Sequence, residues 1–155
     1  KDLAIPGERI GYVAVNPKCS DGENLMSGLI FCNRVLGFVN APALIQRAIK
    51  NMQNVSIDVE QYRKKRDFLY DRLTRIGYSI VKPQGAFYFF PKSPIEDDIA
   101  FVKKLAEKKV LVVPGCGFGS PGYFRISYCV PDKVLEGSIA GFEKVFNAVQ
   151  QKKIY

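Results

Sequence analysis

From residue 59 to residue 76 the apolar positions Val59, Tyr62, Leu69, Leu73 and Ile76 recur at helical spacing, with charged residues between them. Asp58, followed three residues later by Gln61, resembles a capping box, and Gly77 stands where such a helix would stop. The spacing predicts a helix of about five turns. After it, YSIV and AFYFF are rich in β-branched and aromatic residues and flank Lys82-Pro83-Gln84-Gly85, which predicts a hairpin. Ser93-Pro94-Ile95-Glu96 supplies a capping serine, a first-turn proline and an acid at the third position, so a helix is predicted to run to Lys109. KVLVV predicts a short strand. YFRISYC predicts a longer one, with Phe124, Ile126 and Tyr128 on one face and Tyr123, Arg125, Ser127 and Cys129 on the other. Pro131-Asp132 opens a last helix whose Leu135, Ile139, Phe142, Phe146 and Val149 form one apolar stripe.

From about Val55 onward the order is thus helix, hairpin, helix, strand, strand, helix. Helices packed on one face of a small, mostly antiparallel sheet would bury all these stripes, so the fold class is α+β. The preceding segment reads differently. Residues 9–16, RIGYVAVN, predict a strand ended by Asn16-Pro17, and residues 22–53 predict two helical pieces broken near Gly37 to Pro42. Leu25, Leu29, Ile30, Phe31, Leu36 and Phe38 make this segment too apolar for a free linker. They are expected either to pack on a second copy of the chain or to be poorly ordered.

Composition narrows the function. At 155 residues and 47% hydrophobic, the chain has enough apolar surface for a compact core, which argues against disorder. The stretch LIFCNRVLGFVNAPALI is interrupted by Asn33, Arg34 and Asn40, so no membrane span is expected. No secretory signal is visible, and a cytoplasmic protein is expected. Cys19, Cys32, Cys116 and Cys129 follow no zinc spacing and read as reduced thiols. The chain contains no histidine, so by itself it builds neither a histidine-activated nucleophile nor a histidine metal site, and no metal is expected. The net charge of +8 is densest at Arg63, Lys64, Lys65 and Arg66, continuing to Arg72 and Arg75. These charges fall mostly opposite the apolar stripe of the same helix and read as a solvated face. No nucleic-acid motif accompanies them, so no nucleic-acid partner is expected.

A few residues have the chemistry for a site. Lys1 and Arg9 stand eight apart across the Pro6-Gly7 turn. A lysine amine condenses with an aldehyde, and an arginine grips a phosphate with its planar fork of donors. Pyridoxal phosphate carries both groups, although a surface lysine and a strand-edge arginine fit the spacing as well. Gly115-Cys116-Gly117-Phe118-Gly119 lacks the GxGxxG pattern and precedes a strand, so it reads as a flexible turn and not as a phosphate loop. Arg125, on a strand among apolar neighbours, needs a partner: either a structural acid or a bound carboxylate.

Four stretches, KDLAIPGERIGY, FVNAPALIQRAI, PQGAFYFFPK and VVPGCGFGSPGYFRISYCV, resemble in order and spacing the class I and II aminotransferases, the aspartate-aminotransferase-like family of fold-type I pyridoxal phosphate enzymes. The resemblance implies that residues 1–54 are the tail of the large cofactor domain with its connecting helices, and that residues 55–155 are the C-terminal small domain. It implies that Lys1 holds the cofactor and shuttles the substrate proton, that Arg9 binds the cofactor phosphate, and that Arg125 clamps the substrate α-carboxylate. The resemblance also places Asn40 in the segment that, in the family, approaches the neighbouring subunit's cofactor in a homodimer. Arg34 misses by a residue the place where a dicarboxylate-specific member carries an arginine, so no preference for acidic substrates is implied.

In the family the cofactor lysine lies well past the middle of the polypeptide. The chain is therefore expected to be the C-terminal part of a longer enzyme and, alone, to be inactive and without cofactor. The implied activity of the parent is amino-group transfer from an amino acid to a 2-oxo acid. A lyase of the same family shares these residues, and the ligand-sensing domain of a transcription regulator is a second alternative. A domain that serves only as a dimerisation scaffold is a third alternative.

Overall fold

A computed structural model of the chain describes residues 3–52 and 54–151. It separates into two compact units, Lys1–Ile57 and Asp58–Tyr155.

The first unit holds helices α1 (Gly22–Val35) and α2 (Ala43–Ile49), after a short 3-10 turn at Pro6–Glu8. The break between the two helices falls where glycine and proline predict it. The strand predicted over residues 9–16 does not form. Arg9 has a left-handed backbone (φ 51°) that breaks the extended run at its first residue, and no strand lies beside it among the described residues of this unit. An isolated strand leaves its backbone N–H and C=O groups unpaired. Neither helix buries a residue, and Phe31, Leu36 and Phe38 are at least 65% exposed.

The second unit contains α3 (Val59–Ile76), β1 (Tyr88–Phe89), α4 (Asp98–Glu107), β2 (Val113–Pro114), β3 (Phe124–Ser127) and α5 (Asp132–Gln151). Helix α3 begins at Asp58, whose side chain accepts the Glu60 N–H at 3.0 Å. It ends at Gly77, which adopts φ 114° and donates its N–H to Leu73 and Thr74. A side chain there would be strained and would also press into the Phe146 ring.

The strands form one sheet in the order β1-β3-β2, with both pairings antiparallel. The α+β reading holds, but the hairpin does not. Residues 78–81 form no strand, and β1 pairs instead with β3, Tyr88 opposite Ser127 and Phe89 opposite Ile126. Tyr78 explains the loss. Its N–H completes the end of α3 by donating to Leu73, while its ring turns into the core and its hydroxyl donates to the Phe142 carbonyl at 3.0 Å. Helix α4 starts later than predicted. Asp97, not Ser93, caps it, accepting the Ala100 N–H at 2.8 Å. The Ser93 hydroxyl caps only a local turn at Ile95, and the Ser93 N–H bonds to Gly122.

One face of the sheet contributes Phe89, Phe124, Ile126 and Tyr128 to the core. Leu69 and Leu73 from α3, Phe101 and Leu105 from α4, and Leu135, Phe142, Val145 and Val149 from α5 cover that face. Each such side chain contributes about 1.5–3 kcal/mol by leaving water. The Tyr78 ring packs edge-on against Phe101, Phe124 and Phe142, which joins strand and helices in one aromatic cluster.

The basic run on α3 is a helix face with local partners. Arg63 pairs with Glu60 at 3.3 Å, and Lys65 donates to the Val130 carbonyl at 2.7 Å. Arg66 and Lys82 both pair with Asp67, at 2.8 and 2.9 Å. No described helix is long and apolar enough to cross a membrane.

Candidate carboxylate site on the small sheet

Strand alternation places Tyr88, Val113, Arg125 and Ser127 on the face of the sheet opposite the core. The Arg125 guanidinium carbon lies 4.6 Å from the centroid of the Tyr88 ring and 4.3 Å from that of Phe118. Phe90 meets Phe118 edge-on at 6.2 Å and stacks on Tyr123 at 5.7 Å, so the rings form one aromatic surface around the cation.

Among the described residues no acid pairs with Arg125 and none of its guanidinium N–H donors finds an acceptor. The structural ion pair that the sequence left open is therefore not made there. The rings attract the cation through their π-faces and leave its donor edge unspent. That edge fits the two oxygens of a carboxylate.

Phe118 reaches Arg125 from a tight 3-10 turn, Gly115–Phe118, between β2 and β3. The sequence predicts a flexible turn, but this one is tied at several points. The Gly115 N–H donates to Tyr123 at 2.8 Å, the Ser120 N–H to Gly115 at 3.0 Å, and the Cys116 N–H to the Asp98 carboxylate at 2.8 Å. Gly115 is buried, and a Cβ there would collide with the backbone carbonyl oxygens of Ser120 and Tyr123.

Asp98 is only 4% exposed. The Cys116 N–H holds its carboxyl below the usual range, against the opposing effect of desolvation. Sequence reading missed Asp98, Phe118 and Tyr88. The one available signal was the Asp97-Asp98 pair, since a single acid suffices to cap a helix.

Arg9 sits at the end of the Pro6–Glu8 turn, exposed, with Nη1 donating to the Pro6 carbonyl at 3.3 Å. No acid pairs with it among the described residues. Lys1 lies outside the described residues. Arg9 belongs to the first unit and Arg125 to the second. Asn40, before α2, is exposed, as is Arg34 in the last turn of α1. All four cysteines are free and exposed, and no cluster of potential metal ligands occurs among the described residues.

The arginine with its unspent donor edge thus stands on an aromatic sheet face, beside a glycine-rich turn. The family model for aminotransferase class I and II matches residues 1–140, and the chain belongs to that family. It is similar to a probable aspartate aminotransferase of Methanocaldococcus jannaschii, 34% identical over 154 residues that cover 94% of this chain and 40% of the relative. It is also similar to the aspartate/prephenate aminotransferase of Thermus thermophilus, 39% identical over 151 residues covering 94% of this chain and 38% of the relative. A crystal structure of an aminotransferase from Eubacterium rectale matches with a TM-score of 0.84 and 44% identity, covering 96% of this chain and 37% of that one. The chain thus spans about 40% of the length of the relatives it matches.

Proposed function

We propose that this chain is the C-terminal portion of a pyridoxal phosphate-dependent aminotransferase that moves an amino group from an amino acid to a 2-oxo acid. In this reading residues 1–54 close the large cofactor domain and residues 55–155 are the small domain, in an enzyme that works as a cytoplasmic homodimer. The observation that carries it is Arg125: a half-buried cation without an acid among the described residues, set between two rings with its donor edge unspent.

Arg9 fits the cofactor, because an exposed guanidinium without an acid partner among the described residues suits a phosphate. Bound there, pyridoxal phosphate would supply the electron sink that makes the substrate α-proton acidic. The chain's own residues do the rest. Arg9 holds the phosphate end in place. Arg125 fixes the substrate carboxylate by paired hydrogen bonds and so orients the α-carbon. The Lys1 side-chain amine is the group that binds the cofactor and then takes and returns the α-proton as general base and acid.

The test uses an enzyme of full family length carrying this sequence, loaded with cofactor and given a panel of amino-acid donors with 2-oxoglutarate. Amino-group transfer to the 2-oxo acid is expected, whereas product formation that needs no 2-oxo acid would indicate a lyase. Arg125→Lys should raise KM for every donor, because a point charge does not replace a bidentate fork. Unchanged kinetics with all donors would overturn the assignment of Arg125. The 155-residue chain alone, mixed with the same reagents, is expected to show no transfer above that of free cofactor.

A further inference from the structure

We infer that Phe118 is a positioning residue for Arg125, its ring held against the guanidinium by a turn that Asp98 pins at the Cys116 N–H. The inference rests on the reading of Arg125 as the carboxylate clamp.

An arginine side chain has several rotatable bonds, so an unpaired guanidinium on an open sheet face loses considerable freedom when it grips a ligand. Rings on two sides remove much of that freedom in advance. The two rings differ in how they are held. Tyr88 stands on β1, opposite Ser127, and the ladder fixes it. Phe118 is 45% exposed and stands on a turn, so its place depends on what ties the turn down.

Three bonds do so. Two of them, Gly115 to Tyr123 and Ser120 to Gly115, close the turn on itself and on the start of β3. The third reaches outward to the first turn of α4, where Asp98 accepts the Cys116 N–H just two residues before Phe118. A buried carboxylate that accepts a backbone N–H is a stronger tie than a neutral acceptor. Asp98 is not needed to start α4, because Asp97 already caps it. Its burial thus serves the turn, and through the turn the ring.

The arrangement is read first in the 155-residue chain itself, by the nitrogen-15 NMR signal of the Arg125 Nε–H. The flanking rings should displace this signal by their ring currents. Phe118→Leu should move it toward the position of a free arginine. Asp98→Asn, which keeps the shape but not the charge, should move it part of the way. No movement in Phe118→Leu would overturn the positioning, and no movement in Asp98→Asn would overturn the pin.

The full-length holoenzyme supplies the second readout. Phe118→Leu should raise KM for amino-acid donors about tenfold, the scale of one cation–π contact of roughly 1.4 kcal/mol, with kcat changed less than about twofold. Phe118→Tyr should restore KM. Adding Phe118→Leu to Arg125→Lys should cost nothing further, because the ring acts only through the guanidinium. If Arg125→Lys raises KM but Phe118→Leu does not, the positioning fails and the clamp stands. If Arg125→Lys itself leaves KM unchanged, the clamp reading fails, whatever the NMR signal shows.

Discussion

The two faces of the small sheet share strands and differ in almost everything else. On one face Phe89, Phe124, Ile126 and Tyr128 are at most 5% exposed and pack into the apolar core, the Tyr128 hydroxyl alone of their side-chain groups donating to a polar group, the Ala86 carbonyl at 2.7 Å. On the other, one residue along the same strand, Arg125 is half-buried between two rings with no acid among the described residues to neutralise it. Strand alternation makes the division possible, since neighbouring residues point to opposite sides. The core face supplies stability, and the open face uses that stability to hold an arginine that has no acid partner among the described residues. In the first unit, by contrast, no residue of α1 or α2 is buried.

The largest expected effect lies on the core face. Phe124 is fully buried and touches the Tyr78 and Phe101 rings, so Phe124→Ala leaves a cavity where an aromatic side chain joined strand and helices. A loss of about 3–5 kcal/mol is expected, measured by denaturant unfolding of the chain. A loss under about 1 kcal/mol would mean that the two faces are not unequal in the way described.

Gly115→Ala should come next, at about 1–3 kcal/mol, because the new methyl meets backbone carbonyls that have no rotamer to escape into. The damage should fall on the open face. The Arg125 Nε–H signal should move while the methyl signals of the core stay in place. A shift of the core signals with Arg125 unmoved would reverse the expected coupling.

These features were not equally legible in the sequence. The alternation of YFRISYC could be read directly, because period 2 is a local property and the buried and open faces of β3 follow from it. The helices α3 and α5 were also legible from their stripes. The hairpin was misread because strand pairing is not local. Tyr78 has the composition of a strand residue, but the core took its ring and the end of α3 took its N–H. The open face was half legible. Arg125 stood out as a charge among apolar neighbours, and its family resemblance suggested a role. Phe118 and Asp98 did not stand out, since their contribution depends on how a glycine-rich turn folds back on α4. Arg9 was legible as a candidate only beside Lys1, and its left-handed backbone had no signal in a run of β-forming residues.

Arg125→Met gives a smaller effect that sharpens the comparison further. Methionine keeps contact with the Tyr88 and Phe118 rings through a polarisable sulfur, and it removes a charge that no acid among the described residues offsets. Folding stability should change by less than about 1 kcal/mol in either direction, while donor binding in the full-length enzyme is lost. A residue kept for binding has this signature. Destabilisation as large as that of Phe124→Ala would instead make Arg125 part of the framework.

The smallest effect concerns pH, and it separates paired charge from unpaired charge. Asp67 lies between Arg66 and Lys82, and Arg66 also reaches the Pro83 carbonyl at 3.3 Å, so this cluster ties α3 to the segment leading into β1. The Arg66 hydrogen bond, followed by that from Lys82, lowers the Asp67 carboxyl to about 2. A folded-state value below the unfolded one means that the folded protein binds the proton less readily. The resulting stabilisation is present above the unfolded value of about 4 and is lost as pH falls from there toward 2. Asp98, also lowered, adds an effect of the same sign. Asp67→Asn should therefore flatten part of the stability loss between about pH 4 and 2, leaving the share due to Asp98. Arg125 pairs with no acid among the described residues, so Arg125→Met should leave that acid limb unchanged. Unfolding midpoints measured across that range for the three proteins decide the matter. A limb flattened by Arg125→Met would reveal a carboxylate beside the arginine and break the contrast between the paired helix face and the open face of the sheet.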